Sequence, residues 1–466
     1  MNSSRGESWY HRFLRPKVMV DAIGWMLLAG LPFVIHAYQV ADVPSVAEPF
    51  DVASFEEVQV APEDNAWFPY RQAARQVVPM STAAKEEYDN TFEEGAAAIG
   101  ESLTGAIRSN QTALNLFLEG SKRTGFQRTR DEASAIQSDD INSSLRELVR
   151  LTEAQALILL QAGDVESAWD HLHANLRCGR HLGQNSDSNG RLIGRAFHVC
   201  GIRRIARWAE SPLVDTPLLR RALDDIRATY AMTPPISTAL KFDYLYCRSI
   251  CNTPALQDSG MNQQNLRNRL EWEGRWFLGE PELSRTVLRA AFSNWLSECD
   301  RLPCQRSPRT DWGLFSRAPV ATGSASMISA DAIDHLILRS LVARPLVCTE
   351  PYVFTSLDSE VAWQAILELL LATQIHYRET GAFPASADEL VGTTLDALPI
   401  DPFGLDPTGR VVPIGYRREA ESEDGATIWS IGPDGIDDAG KLKYPASIGR
   451  DSERGDVLIT IKPPRE

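Results

Sequence analysis

Residues 141–183 constrain the fold more than any other stretch, because apolar side chains recur there with the period of an α-helix on both sides of a single glycine. Leu145, Leu148, Leu151, Ala154, Leu157 and Ile158 return at three- and four-residue intervals, which gathers them into one stripe. Gly163 stops that helix, Asp164 and Glu166 favour the start of the next, and Ala168, Leu172 and Leu176 return at intervals of four. Two such stripes bury themselves best against each other, so the spacing predicts an antiparallel helical hairpin. Further helical passages are predicted over 61–79, 103–123, 191–211, 217–232, 263–279, 284–298 and 331–343, punctuated by Pro212, Pro217, Pro234, Pro235, Pro254 and Pro281. Residues 302–330 are less periodic and read as a surface loop.

With 466 residues, of which 43% are hydrophobic, the chain has material for more than one core. Its formal charge of -15 argues against a nucleic-acid partner held by phosphate neutralisation. Seven cysteines are too few for a disulfide-dense scaffold. The close pairs Cys247/Cys251 and Cys299/Cys304 leave disulfides open, with isolated or buried thiols the favoured reading and a zinc site disfavoured by the lack of tight CxxC spacing.

At the amino-terminal end, Arg12, Arg15 and Lys17 precede an apolar run from Ala22 to Ile35 that contains Trp25. Extended to include Asp21 and His36, the run approaches the length of a spanning helix, with the basic flank on the cytoplasmic side. Residues 18–40 are therefore expected to be a transmembrane helix, 1–17 a cytoplasmic tail and 41–61 an acidic, proline-bearing tether. A cleaved signal peptide and a buried soluble helix are the alternatives.

The usual catalytic constellations are missing. No G-x-S-x-G, H-E-x-x-H or G-x-x-x-x-G-K-[ST] motif occurs. His171 and His173 are placed on different helix faces, and Ser143, Ser144, Ser356 and Ser359 read as helix-start residues. Glu153, Glu166, Asp170, Glu210 and Asp225 carry no spacing that pairs them for acid/base work, and Trp169, Trp208, Trp272 and Trp276 read as packing residues. No catalytic residue is named.

The carboxy-terminal part carries the most specific pattern. Residues 357–381 form an amphipathic helix with Val361, Ala365, Leu369 and Ala372 on its apolar side and Gly381 at its end. ASADEL supports a short helix near Ser386, LPIDPFG (398–404) a turn, and 411–418, 427–432 and 455–461 three strands. The turn IWSIGPDGIDD (428–438) places Asp434, Asp437 and Asp438, with Ser430, as hard oxygen donors for a candidate calcium site; a solvated acidic turn is the alternative.

The succession YRETGAFP, LPIDPFG, GYRR, IWSIGPDG and GDVLI resembles the globular end of the major pseudopilin of type II secretion systems. That resemblance implies a long helix on a small antiparallel sheet beside a calcium-binding acidic loop. No G-F-T-L-x-E-like processing signal stands near the start of this chain. PEDNAWFPYRQAA (62–74) is similar to a pattern of planctomycete-type membrane-anchored proteins, and the boundary QAGDVESAW resembles the turn of a tetratricopeptide-type unit.

The expected fold is thus multidomain and mainly α: a transmembrane helix, an antiparallel helical body over 62–350 and a small pseudopilin-like α+β domain over 356–466. The expected role is a noncatalytic envelope protein, anchored in the membrane by its amino-terminal helix as a single-pass protein with its bulk extracytoplasmic, that binds or positions a protein partner. A hydrolase or glycan-active enzyme and a divergent pseudopilus-associated component are the alternatives.

Overall fold

The computed structural model describes residues 16–55, 59–128, 135–252, 278–317, 320–321, 327–340, 342–347, 350–419, 425–441 and 455–464. Helices succeed one another as α1 (Pro16–Val40), α2 (Trp67–Gln76), α3 (Thr82–Glu94), α4 (Glu101–Ser109), α5 (Gln111–Ser121), α6 (Ala135–Gln161), α7 (Val165–Leu182), α8 (Ser188–Ala209), α9 (Thr216–Ala231) and α10 (Ile236–Asn252). They continue as α11 (Glu282–Glu298), α12 (Ala330–Arg339), α13 (Ala343–Val347) and α14 (Glu350–Thr380). Strands are β1 (Val320–Ala321), β2 (Met327–Ile328), β3 (Ile400–Leu405), β4 (Val411–Pro413), β5 (Gly415–Arg418), β6 (Ala426–Ser430) and β7 (Val457–Ile461).

Local chemistry accounts for many of the boundaries. The Asp164 carboxylate accepts the Ser167 N–H at 3.1 Å, and Asp187 and Asp215 accept from Gly190 and Leu218 at the starts of α8 and α9. Gly163 ends α6 with φ of 83°, a left-handed turn in which a side chain would be strained. The predicted helix over 103–123 is divided into α4 and α5 at Asn110, whose amide reaches back to the Val78 backbone. The predicted helix over 263–279 lies almost wholly outside the described residues.

The chain forms two compact units. One comprises residues up to 52 with 244–298 and 307–349; the other comprises 53–243, 299–306 and 350–466. In the first, Phe292 stands edge-on to both Tyr244 and Trp295, and the Asn294 amide exchanges hydrogen bonds with the Phe315 backbone. In the second, one core gathers Trp67, Tyr70, Phe117, Leu148 and Leu151 from α2, α5 and α6. Another joins Trp169, Leu172, Ile205, Trp208 and Leu219 of the helical body to Leu367, Leu370, Ile375, Ile428, Val457 and Ile461. The apolar side of α14 and of the small sheet therefore belongs to the same interior as α7, α8 and α9, and this interior crosses the expected division at 350–356.

Strands β5, β6 and β7 form an antiparallel sheet with β6 central, and β3 pairs with β4 in a separate two-stranded ladder. LPIDPFG, expected as a turn, supplies β3 instead. Pro402 is accommodated because it falls where the β3–β4 register shifts between Ile400 and Leu405, an interruption of the ladder at which a missing N–H costs little. The stretch 411–418, expected as one strand, is divided at Ile414, whose N–H bonds to the Pro399 carbonyl.

The amino-terminal expectation is corrected. Residues 16–40 do form one helix, but among the described residues no helix is long and apolar enough to cross a membrane. Lys17, Asp21, His36 and Gln39 fall within α1, so its uninterrupted apolar stretch is short. The transmembrane helix over 18–40, the single-pass topology with a cytoplasmic amino terminus, the membrane as partner and the anchored envelope role are withdrawn with it. The mainly helical character and the small carboxy-terminal sheet stand.

Candidate functional site

The acidic turn is built around backbone donors. Asp434 accepts the Ile436 N–H at 3.1 Å and the Gly455 N–H at 2.9 Å, while Asp437 accepts from Ala439 and from the Trp429 indole. Ser430 donates to Asp401 at 2.7 Å, and Asp401 also receives the Phe403 and Ile431 N–H groups. The Asp438 N–H bonds to Asp456, whose carboxyl is raised by burial and by the charges of Asp437 and Asp438. Among the described residues no three His, Cys, Asp or Glu side chains come together as a group that could hold a metal ion.

The other chemistry-bearing residues disperse into packing roles. Glu153 is buried against Tyr88 and Arg204, Asp170 pairs with Arg221, and Asp225 accepts the Trp169 indole N–H. Trp169 and Trp208 are fully buried side by side, whereas Trp272 and Trp276 lie outside the described residues. His173 bonds Thr229 and is pushed down to about 4 by burial; His181, held by Tyr70 and the Arg123 carbonyl, is pushed down to about 3 for the same reason. Ser143, Ser144, Ser356 and Ser359 stand inside α6 and α14, because both helices begin earlier than expected. Cys178, Cys200, Cys247, Cys251, Cys299 and Cys304 are all free thiols, and Cys348 lies outside the described residues.

An open pocket of about 180 Å³ in the first unit is lined by Tyr244, Arg248, Cys251, Arg285, Leu288 and Arg289. Helical periodicity assembles it: Tyr244, Arg248 and Cys251 recur on one face of α10, and Arg285, Leu288 and Arg289 on one face of α11. Glu48 stands at its edge. Its carboxylate receives the Arg289 guanidinium at 2.7 Å and the Tyr244 hydroxyl, with Arg248 at 3.5 Å. Burial raises the Glu48 carboxyl, but the Tyr244 hydrogen bond and Arg289 outweigh it and hold it below its ordinary value. Cys251 is pushed up to about 11 by burial, so it remains a protonated thiol at neutral pH.

This pocket was not singled out from the sequence. The sequence analysis predicts the helix over 284–298 but none over α10, and no local signal tells that the faces of α10 and α11 meet.

A second concentration of charge is buried in the other unit, where α7, α8 and α14 meet. Arg180 pairs with Glu360 at 2.5 Å, Arg191 stands 3.8 Å from the same carboxylate, and Arg306 pairs with Asp358 at 2.7 Å. His198 bonds the Tyr230 hydroxyl at 2.9 Å and is held far below its ordinary pKa by burial and by Arg180 and Arg195.

No family model matches the chain, and neither a curated protein nor a solved structure matches it.

Proposed function

We propose that this chain is a binding protein whose first unit recognises an anionic ligand, bearing a carboxylate or phosphate group, at the pocket between α10 and α11. One observation carries the reading: Tyr244, Arg248 and Arg289 already clasp a carboxylate, that of Glu48, at the pocket wall. Arg285 brings a third guanidinium to the same space. Guanidinium groups suit such ligands because their planar donors match two oxygens at once. Cys251 is held as a protonated thiol, which fits binding better than covalent chemistry at this site.

Calorimetric titration of the full chain with inorganic phosphate and with citrate tests the reading. Saturable binding of either, weakened tenfold or more in Arg285→Ala and Arg289→Ala and unchanged in the exposed Arg220→Ala, supports it. Absence of heat with both overturns it.

The acidic turn supports a second reading, calcium binding by Asp434, Asp437, Asp438 and Ser430 with backbone carbonyls. What favours it is the hydrogen bond that brings Asp438 to Asp456, whose carboxyl is raised by burial and by the charges of Asp437 and Asp438, together with the pseudopilin-like order of the surrounding segments. Titration of the full chain with Ca²⁺ decides: no heat and no thermal stabilisation at millimolar calcium sinks it.

A further inference from the structure

The polar cluster where α7, α8 and α14 meet holds more hydrogen-bond donors than the surrounding protein satisfies. Arg180 is 3% exposed, yet its Nε and Nη2 find no acceptor, its Nη1 alone being engaged by Glu360. The buried Nε of Arg195 and the Nδ1 of the fully buried His198 are likewise without partners. Arg191, Arg195 and His198 share one face of α8, since they are separated by four and three residues, and that face is turned toward Arg180 on α7. One acceptor of the same cluster, Glu360 Oε2, is also without a hydrogen-bond partner, but the unpartnered donors of Arg180, Arg191 and Arg195 outnumber it, and arginine offers donors only.

Charge gives the same answer independently. The side chains of Arg180, Arg191 and Arg306 are each at most 6% exposed, and the acids paired with them, Glu360 and Asp358, at most 4%. Three buried positive charges face two buried negative ones, with the exposed Asp300 acting on Arg191 from outside, before the half-buried Arg195 is added. An uncompensated buried charge is costly, and proteins neutralise it by pairing. A water molecule would satisfy a donor but would leave this charge standing.

We propose that this cluster encloses a small monovalent anion of the halide class, held by Arg180, Arg195 and His198, as a structural ligand that ties α7 to α8 beneath α14. The anion accepts from the guanidinium Nε and Nη2 groups and from the imidazole N–H, the Tyr230 hydroxyl then donating to the other imidazole nitrogen. It supplies the missing negative charge. This site is separate from the pocket of the first unit and does not depend on it.

The test uses the full chain in two measurements. Crystals soaked in sodium bromide are expected to show an anomalous peak between Arg180, Arg195 and His198. Thermal unfolding at matched ionic strength is expected to occur several degrees higher in potassium chloride than in potassium gluconate, with a tenfold weaker chloride dependence in Arg195→Gln. Arg195 is chosen because, unlike Arg180, its loss strips no partner from Glu360. No bromide peak at the cluster overturns the proposal. So does a bromide peak without any chloride dependence of unfolding, which marks binding at crystal concentration only.

Discussion

Gly179 on α7 and Gly194 on α8 meet backbone to backbone: a methyl group added at Gly179 would stand 2.6 Å from the Gly194 carbonyl oxygen. The obstacle is main chain on a packed helix, so it cannot rotate aside. Gly179→Ala is expected to destabilise the protein by about 2 kcal/mol through overpacking. Gly105, in α4 with open space around it, is the control: Gly105→Ala should gain about 0.5–1 kcal/mol from helix propensity. Urea denaturation of the two variants checks both signs.

Arg306 anchors the segment 299–306 to α14, donating to the Asp358 carboxylate and to the carbonyls of Cys299 and Arg301. Arg306→Met leaves a buried carboxylate without its guanidinium and is expected to cost about 3–5 kcal/mol. Adding Asp358→Asn removes the carboxylate charge as well, so the double variant should be more stable than Arg306→Met alone. Additive losses in a double-mutant cycle would show that the pair is not coupled.

Asp243 links α10 to the start of α8, accepting from the Ser188 backbone and hydroxyl, and burial with the nearby Asp187 pushes its carboxyl up to about 7. The folded protein thus holds a proton that the unfolded chain releases near the ordinary value of 3.8. The group's stabilising contribution is complete below that value and is lost as pH rises toward 7. Asp243→Asn, which mimics the protonated form, should flatten this fall. Comparing variant and parent by urea denaturation at pH about 5 and about 8 tests the sign: the variant's relative stability must improve at the higher pH.

Asp401 joins β3 to β6 by accepting from Phe403, Ser430 and Ile431 at 3.0, 2.7 and 2.7 Å. Asp401→Ala leaves three donors without their acceptor and is expected to cost about 3 kcal/mol. Asp401→Asn, which retains one oxygen, should lose less. Hydrogen exchange at the Ile431 amide should accelerate in the alanine variant, and an unchanged rate would refute the assignment.

The parts legible beforehand were those decided by neighbours in sequence. Gly163, Asp164 and the stripe from Leu145 to Ile158 specified the α6–α7 hairpin through local periodicity and capping. LPIDPFG reads as a turn because Pro402 and Gly404 are turn residues in most settings, and the register shift that admits them in β3 is set by pairing with β4, which is remote from any local pattern. The apolar run from Ala22 to Ile35 approaches a spanning length only by taking in Asp21 and His36, and the helix that forms carries these groups and Lys17 within its length. Ser430 reads as a metal donor because its neighbours are acidic; its hydroxyl is committed to Asp401, remote in sequence. The arginine pocket and the buried cluster both arise where separate helices meet, a relation that no window of the sequence contains.

The core that joins Trp169, Trp208 and Leu219 to Leu370, Ile428 and Ile461 has a consequence for the order of events during synthesis. Residues 156–226 leave the ribosome well before residues 366–461, which cover their apolar side, have been made. During translation the earlier helices present an apolar surface that the later helix and sheet close, so this core is completed only after the last strand has been made.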